Sequence, residues 1–469
     1  MNSYVKILIY FMLLSPIALA VHAESGASKK IQISVNCAKQ IGKIKKLNGV
    51  NFGPKISSES AGIVFRKQFY DLNVHSVRLH DVSLQNPGLM IVDTDMIFPI
   101  AHADVSDPRN YIFKPTDDYI KICIKDGAEV IYRLGPSIDH SEAKYRTGMP
   151  EAKKWAEICC NIIAHYNEGW ANGYKFGIKY WEIWNEPNCK NPDGSKTMWA
   201  GTLDEFNKFY IEVSKIIKAR FPDIKIGGPA HTHCAEELGR KFISEAAKAK
   251  APIDFYSWHC YGSDLKHMVS QVKKVRKWLD EFGYGNAEAH LNEWHYFPMT
   301  FSELRDPKSD KQQLYSKLTT VESGVFATAT MTIWQDAPID VANFYYFGPG
   351  TWGLVDMSGL EYDLYYPFKA FGKIIRRANR LEAKTSDEAA PVLAGIDEDG
   401  KVSILASLFK TGRGTLFVEL KNFKGKMDSL KVLMCDGNKK LEPADGVKIH
   451  GSTLEIPINA DSSCILIEN

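Results

Sequence analysis

The chain has 469 residues, too many for one small core and suited to a barrel-sized domain with a smaller module beside it. A formal net charge of +2 supplies no global field for nucleic acid or an anionic membrane, and 45% hydrophobic with 24% charged residues is an ordinary soluble balance. Nine cysteines, odd in number and with no CxxC pair, form no disulfide or zinc framework; several sit in apolar runs, which points to buried free thiols.

The chain opens with Lys6 ahead of an almost wholly apolar stretch, Ile7 to Ala20, followed by Val21-His22-Ala23. This pattern predicts a cleavable signal peptide over residues 1–23 and a periplasmic or secreted protein. The stretch is too short for a good membrane span, and no other apolar run approaches that length. Ile31 to Val35 alternates apolar and polar and reads as a half-buried strand. Residues 24–46 are therefore assigned to a strand that joins the C-terminal module.

From 47 to 385 short apolar strands alternate with amphipathic helices, the pattern of a parallel sheet covered by helices. Eight strands are predicted: Gly49–Phe52, Ser76–His80, Val130–Leu134, Tyr180–Trp184, Ile224–Gly227, Phe255–His259, Ala289–Glu293 and Met331–Trp334. Between them, stripes such as Phe206, Phe209, Tyr210, Val213 and Ile217 keep the helical period and face a core. Eight such units without a glycine-rich phosphate turn favour an α/β fold of the (β/α)8 TIM-barrel type over an open doubly wound sheet. Residues 386–469 carry alternating strands separated by turns such as Asp399-Gly400 and Asp436-Gly437, which predicts a small antiparallel β-sandwich module.

Two strand ends carry chemistry. Trp181-Glu182-Ile183-Trp184-Asn185-Glu186-Pro187-Asn188 ends a strand in an amide, a carboxylate and a proline, which turns the chain out at the barrel's C-terminal rim. Ala289-His290-Leu291-Asn292-Glu293-Trp294 ends another in a carboxylate among aromatics. Glu186 and Glu293 are 107 residues apart, about three βα units, which places them on the fourth and seventh strands. Cleavage of a glycosidic bond needs such a pair: one acid to protonate the leaving oxygen and one carboxylate to attack or to activate water. With 10 tryptophans, 21 tyrosines and 23 phenylalanines the chain is also rich in rings whose faces suit sugars, although most fill the core.

The segment Glu182 to Asn188 resembles the acid/base motif of clan A glycoside hydrolases, and in this form that of family 39, which includes β-xylosidases and α-L-iduronidases. Val77-Arg78-Leu79-His80 resembles the family's second strand, Asp254 to Tyr261 its sixth, Leu291 to Trp294 its nucleophile strand, Ile333 to Asp336 its eighth, and Trp352 to Gly359 its closing segment. The resemblance implies a retaining O-glycosyl hydrolase with a β-sandwich beside the barrel and a carboxylate gap of about 5–5.5 Å; with no HExxH motif, no metal or other cofactor is expected. It assigns nucleophilic attack to Glu293 and acid/base work to Glu186. It further implies that Asn185 binds the sugar 2-hydroxyl, Arg78 orients Glu293, His80 and His259 meet sugar hydroxyls, Tyr261 hydrogen-bonds Glu293, and Trp334 floors the sugar ring. The expected partner is a glycoside or oligosaccharide, with a β-xyloside as first choice and exo action.

Competing readings follow from other residues. Lys266 and Arg133 offer cations for a uronide, as an iduronidase-like enzyme requires, whereas Asp93, Asp95, Asp104 and Asp107 in the long exit Asn86–Tyr111 argue against one. A sugar-binding protein on a dead glycosidase scaffold predicts loss of one carboxylate, and both are present. His231-Thr232-His233-Cys234 has no second cluster at ligand spacing and reads as subsite lining in preference to a zinc site.

Overall fold

The computed structural model describes residues 29–54, 65–79, 92–137, 148–191, 193–356 and 358–469. The expected signal peptide, His80 and part of the Asn86–Tyr111 exit lie outside them. A first strand, β1 (Lys29–Lys43), precedes the barrel. Eight parallel strands then pair in chain order and close on themselves: β2 (Gly49–Asn51), β3 (Ser76–Leu79), β4 (Glu129–Leu134), β5 (Tyr180–Ile183), β6 (Lys225–His231), β7 (Phe255–Gly262), β8 (Glu288–Tyr296) and β9 (Val341–Phe344).

Helices cover the outside as their stripes require. Helix Leu203–Arg220 starts at Thr202, whose side chain and Glu205 form a reciprocal capping box, and it buries Phe206, Phe209, Tyr210, Val213 and Ile217 against the strands. Inside the barrel, Ile131, Tyr180 and Phe255 form an apolar plug near the strand beginnings. Above it the interior turns polar, with Arg78, Glu182, Asn292 and Asn343 fully buried. Such a layer persists only where the groups satisfy one another, so it prefigures a built site.

The eighth strand corrects the sequence reading. Met331–Trp334 is not a strand: helix Val321–Ile333 runs through it and ends in a short 3-10 turn, Trp334–Asp336. Every residue from Ser323 to Thr332 is buried, because the helix is pressed between the barrel and the C-terminal module. Ser407 of the module donates to Thr328 Oγ1 at 2.8 Å across that junction. A helix covered on both sides shows no polar stripe, and its apolar run imitates a strand. The true eighth strand, β9, carries the inward polar residue Asn343.

The module is one ten-stranded sheet built from β1 with β10 (Asn379–Thr385), β11 (Val392–Ile396), β12 (Val402–Leu408), β13 (Gly414–Lys421), β14 (Lys431–Cys435), β15 (Lys440–Pro443), β16 (Lys448–His450), β17 (Thr453–Ile458) and β18 (Ser463–Glu468). Strand β10 comes ahead of residue 386 and is paired into this sheet. Val432 and Met434 from one flank share a core with Leu454 and Ile456 from the other, so the sheet curls over on itself. β1 lies inside the sheet, antiparallel to β10 and parallel to β13; the other pairings are antiparallel. All nine cysteines are free thiols, seven of them buried.

Candidate active site

Glu186 and Glu293 reach the same cleft from opposite backbone solutions. After β5 the chain makes two left-handed steps, at Trp184 (φ 73°) and Glu186 (φ 47°), which cost side-chain-bearing residues of the order of 1–3 kcal/mol each. Hydrogen bonds hold them: Trp184 N–H donates to Leu134 O at 2.8 Å, Glu186 N–H to Ala230 O at 3.0 Å, and Cys189 N–H to Glu186 O at 2.9 Å. Strand alternation is thereby broken, and Asn185 and Glu186 both join the network of the cleft. On the other side a register shift between β7 and β8 pairs Trp258 with Leu291 but His259 with Glu293, skipping Asn292. The bulge turns the consecutive residues Asn292 and Glu293 toward the interior, while Leu291 and Trp294 pack in the outer core.

Arg78 on β3 organises the polar layer. Its Nε donates to Glu182 Oε2 at 2.6 Å, Nη1 to Glu293 Oε1 at 2.8 Å and to Asn51 Oδ1 at 3.2 Å, and Nη2 to Asn185 Oδ1 at 2.7 Å. Asn292 Nδ2 donates to the second oxygen of Glu182, so that carboxylate is held by two strands. Tyr261 O–H donates to Glu293 Oε2 at 2.9 Å. Burial, then the charge of Glu293, pushes the Tyr261 phenol well above its ordinary value, so it remains a donor.

One imidazole faces both glutamates. His259 Nδ1 is 2.9 Å from Glu186 Oε1 and 3.2 Å from Glu293 Oε2. Both carboxyl groups therefore face the same ring nitrogen. The facing atoms of Glu186, His259 and Glu293 lie within 4.8 Å of one another. The two carboxyl groups thus share one cleft, close enough to act on a single bond. These three are also the grouping among the described residues with spacing for a metal, but their facing atoms already join hydrogen bonds with one another and with Tyr261. Asn185 is 1% exposed, and its Nδ2 makes no hydrogen bond among the described residues.

The rim beyond Tyr261 is aromatic. Its ring meets Phe301 at 5.7 Å, Trp352 at 5.6 Å, and Tyr345 and Phe297 each at 6.2 Å, all near perpendicular.

The structure thus brings Arg78, Asn185, Glu186, His259, Tyr261 and Glu293 together. Trp334 is the exception and a correction: it is fully buried outside the barrel, edge-on to Trp294 at 4.9 Å, and cannot floor a sugar. The strand that would have carried it to the rim is a helix end. His231 Nδ1 meets Tyr256 OH at 2.8 Å, and burial lowers its pKa to about 3. His233 instead pairs with Thr232 at the surface, so the His231–Cys234 segment gathers no ligand cluster. Sequence reasoning assigned no role to Glu182, Asn51, Asn292, Tyr345 or Trp352. Glu182 could have been found: it lies one strand step inward of the motif's own Trp184 and is an acid in a strand with no exposed face.

The sequence profile described as Glycosyl hydrolases family 39 matches residues 117–374. A β-xylosidase of Geobacillus stearothermophilus is 25% identical over 166 residues, 30% of this chain and 31% of that protein. A β-xylosidase of Caldicellulosiruptor saccharolyticus is 22% identical over 394 residues, 78% of this chain and 75% of that protein. Among solved structures, a glucosidase from Croceicoccus marinus superposes with a TM-score of 0.74 at 21% identity, covering 94% of this chain and 99% of its own.

Proposed function

The chain belongs to the glycosyl hydrolases of family 39, and from that premise we propose a retaining, exo-acting β-xylosidase-like enzyme that works by double displacement. One observation carries the reading: two carboxyl groups face Nδ1 of His259 in one cleft, and the facing atoms of the three residues lie within 4.8 Å of one another.

In this mechanism Glu293 attacks the anomeric carbon and forms a glycosyl-enzyme while Glu186 protonates the departing oxygen. Glu186 then takes a proton from water, which releases the sugar with its configuration retained. The Arg78 guanidinium keeps Glu293 ionised and aimed, and Tyr261 fixes its other oxygen. Asn185, its carbonyl tied to Arg78, offers Nδ2 to the sugar 2-hydroxyl and so positions it beside Glu293.

The pentoside preference draws on the two named β-xylosidases. The uronide reading draws less support from the residues first offered for it. Lys266 pairs at the surface with Glu388, and Arg133 turns one nitrogen to the Pro136 carbonyl. Export by a cleavable signal over 1–23 belongs to the same proposal and rests on the sequence pattern there. Among the described residues no helix is long and apolar enough to cross a membrane.

A panel of aryl xyloside, arabinoside, galactoside, glucoside and uronides tests the substrate, with proton NMR of the first-formed anomer. Fastest turnover of the xyloside with net retention is the expected result. Net inversion would remove Glu293 as nucleophile, and a faster uronide would remove the xyloside.

A further inference from the structure

Helix Phe301–Arg305 follows the nucleophile strand β8 and carries two side chains that the mechanism above leaves unused. Phe301 is 42% exposed, although its ring stands edge-on to Tyr261 at 5.7 Å. An aromatic face left in water two contacts from Glu293 is ready to be covered by a ligand ring. The guanidinium of Arg305 lies 5.7 Å from the Phe301 centroid.

Nothing on the helix neutralises that cation. Glu303 is turned back onto Thr300 in a capping box, and Asp306 accepts from the Lys308 N–H. Among the described residues Arg305 forms no ion pair.

Burial and the charge of Glu186 push the Cys189 thiol up to about 11, against the Thr197 hydrogen bond and the charge of Arg305. Cys189 is bonded through its N–H to the Glu186 carbonyl. Phe301 and Arg305 thus stand together at the rim, beyond the Tyr261 ring that holds Glu293. Under exo action the sugar bonded to Glu293 is the terminal one, so a second ring held at the rim belongs to the leaving group.

We propose that Phe301 and Arg305 form a leaving-group subsite that takes a ring carrying a carboxylate, as a uronic-acid sugar does. The subsite rests on the glycosidase reading of Glu186 and Glu293 and narrows its substrate class. Phe301 supplies an apolar face for the ring, and the guanidinium matches a carboxylate in two-pronged geometry.

Two aryl glycosides of one sugar test it, their phenols bearing a meta carboxylate or the matching carboxamide. The ratio of their kcat/KM values is expected to favour the carboxylate about three- to fivefold more in the parent than in Arg305→Gln at low ionic strength. Salt brings the parent ratio toward that of the variant. Arg305→Lys keeps most of the preference, and Arg305→Glu inverts it. The same ratio in the parent and in Arg305→Gln would overturn the subsite. The carboxamide glycoside reads the underlying assignment separately: turnover abolished in Glu293→Ala upholds it whatever the ratio, and no turnover by the parent would overturn both.

Discussion

Arg78 Nη1 donates to Glu293 Oε1 at 2.8 Å from a side chain with no exposed surface. The same guanidinium holds Glu182 at 2.6 Å and Asn185 at 2.7 Å. One planar cation therefore fixes the carboxylate of Glu293, the buried carboxylate of Glu182 and the amide next to Glu186. A lysine keeps the charge but cannot span all three acceptors. Arg78→Lys is expected to lower kcat/KM roughly 100- to 1,000-fold while circular dichroism stays that of the parent. A loss below about threefold would remove Arg78 from the catalytic arrangement.

The two glutamates are separable by azide. With an activated aryl glycoside, Glu186→Ala still forms the glycosyl-enzyme, and azide should then release a glycosyl azide of retained configuration. Glu293→Ala should lose about 10,000-fold or more in kcat and yield the inverted azide. The opposite pairing of products would exchange the two roles.

Glu288, at the start of β8, is a test of stability away from the cleft. Burial raises its pKa, but hydrogen bonds from His290, at 2.9 Å, and from Lys225 overcome this and hold it at about 2 against 4.5 for the free side chain. The folded value is the lower one, so the unfolded chain takes up the proton first as pH falls. The carboxylate stabilises fully above about pH 4.5, and that contribution is lost between 4.5 and about 2. Urea unfolding should find Glu288→Gln about 2–3 kcal/mol less stable than the parent at pH 7, with the gap closing toward pH 2. A gap independent of pH would mean that packing, not charge, is what Glu288 contributes.

Trp334→Ala should act on stability and not on sugar recognition. The ring is fully buried against Trp294, and its removal is expected to cost about 3–5 kcal/mol in unfolding experiments. KM of the surviving protein should stay within about twofold of the parent. A large rise in KM without loss of stability would return this ring to the sugar.

That tryptophan also shows where sequence patterning stops. Seven barrel strands were legible because each is a short apolar run broken by a polar or glycine exit, as in Val130–Leu134. The eighth was not, since helix Val321–Ile333 is covered on both faces and hides its period, while β9 interrupts its own apolar run with Asn343. Strand β10 reads as a polar linker because only Leu381 of its seven residues is buried. The meeting of Glu186 and Glu293 in one cleft was legible from Asn185-Glu186-Pro187 and the spacing to Glu293. Its support was half hidden: strand parity cannot foresee the β8 bulge that turns Asn292 and Glu293 inward together.

Strand β1 has a consequence for how the molecule is joined. Lys43, its last residue, is in register with Asn379, and Ile44 N–H donates to Ala378 O at 2.8 Å. The points where the chain enters and leaves the barrel are thus side by side. Topologically the barrel is a domain inserted into the curled sheet, and residues 44 and 378 are neighbouring ends that a short linker can close. The barrel is therefore suited to circular permutation, with new termini opened on a surface loop away from the cleft. The sheet, by contrast, cannot be completed until Gly414–Lys421 has been synthesised to pair with the chain's first described residues.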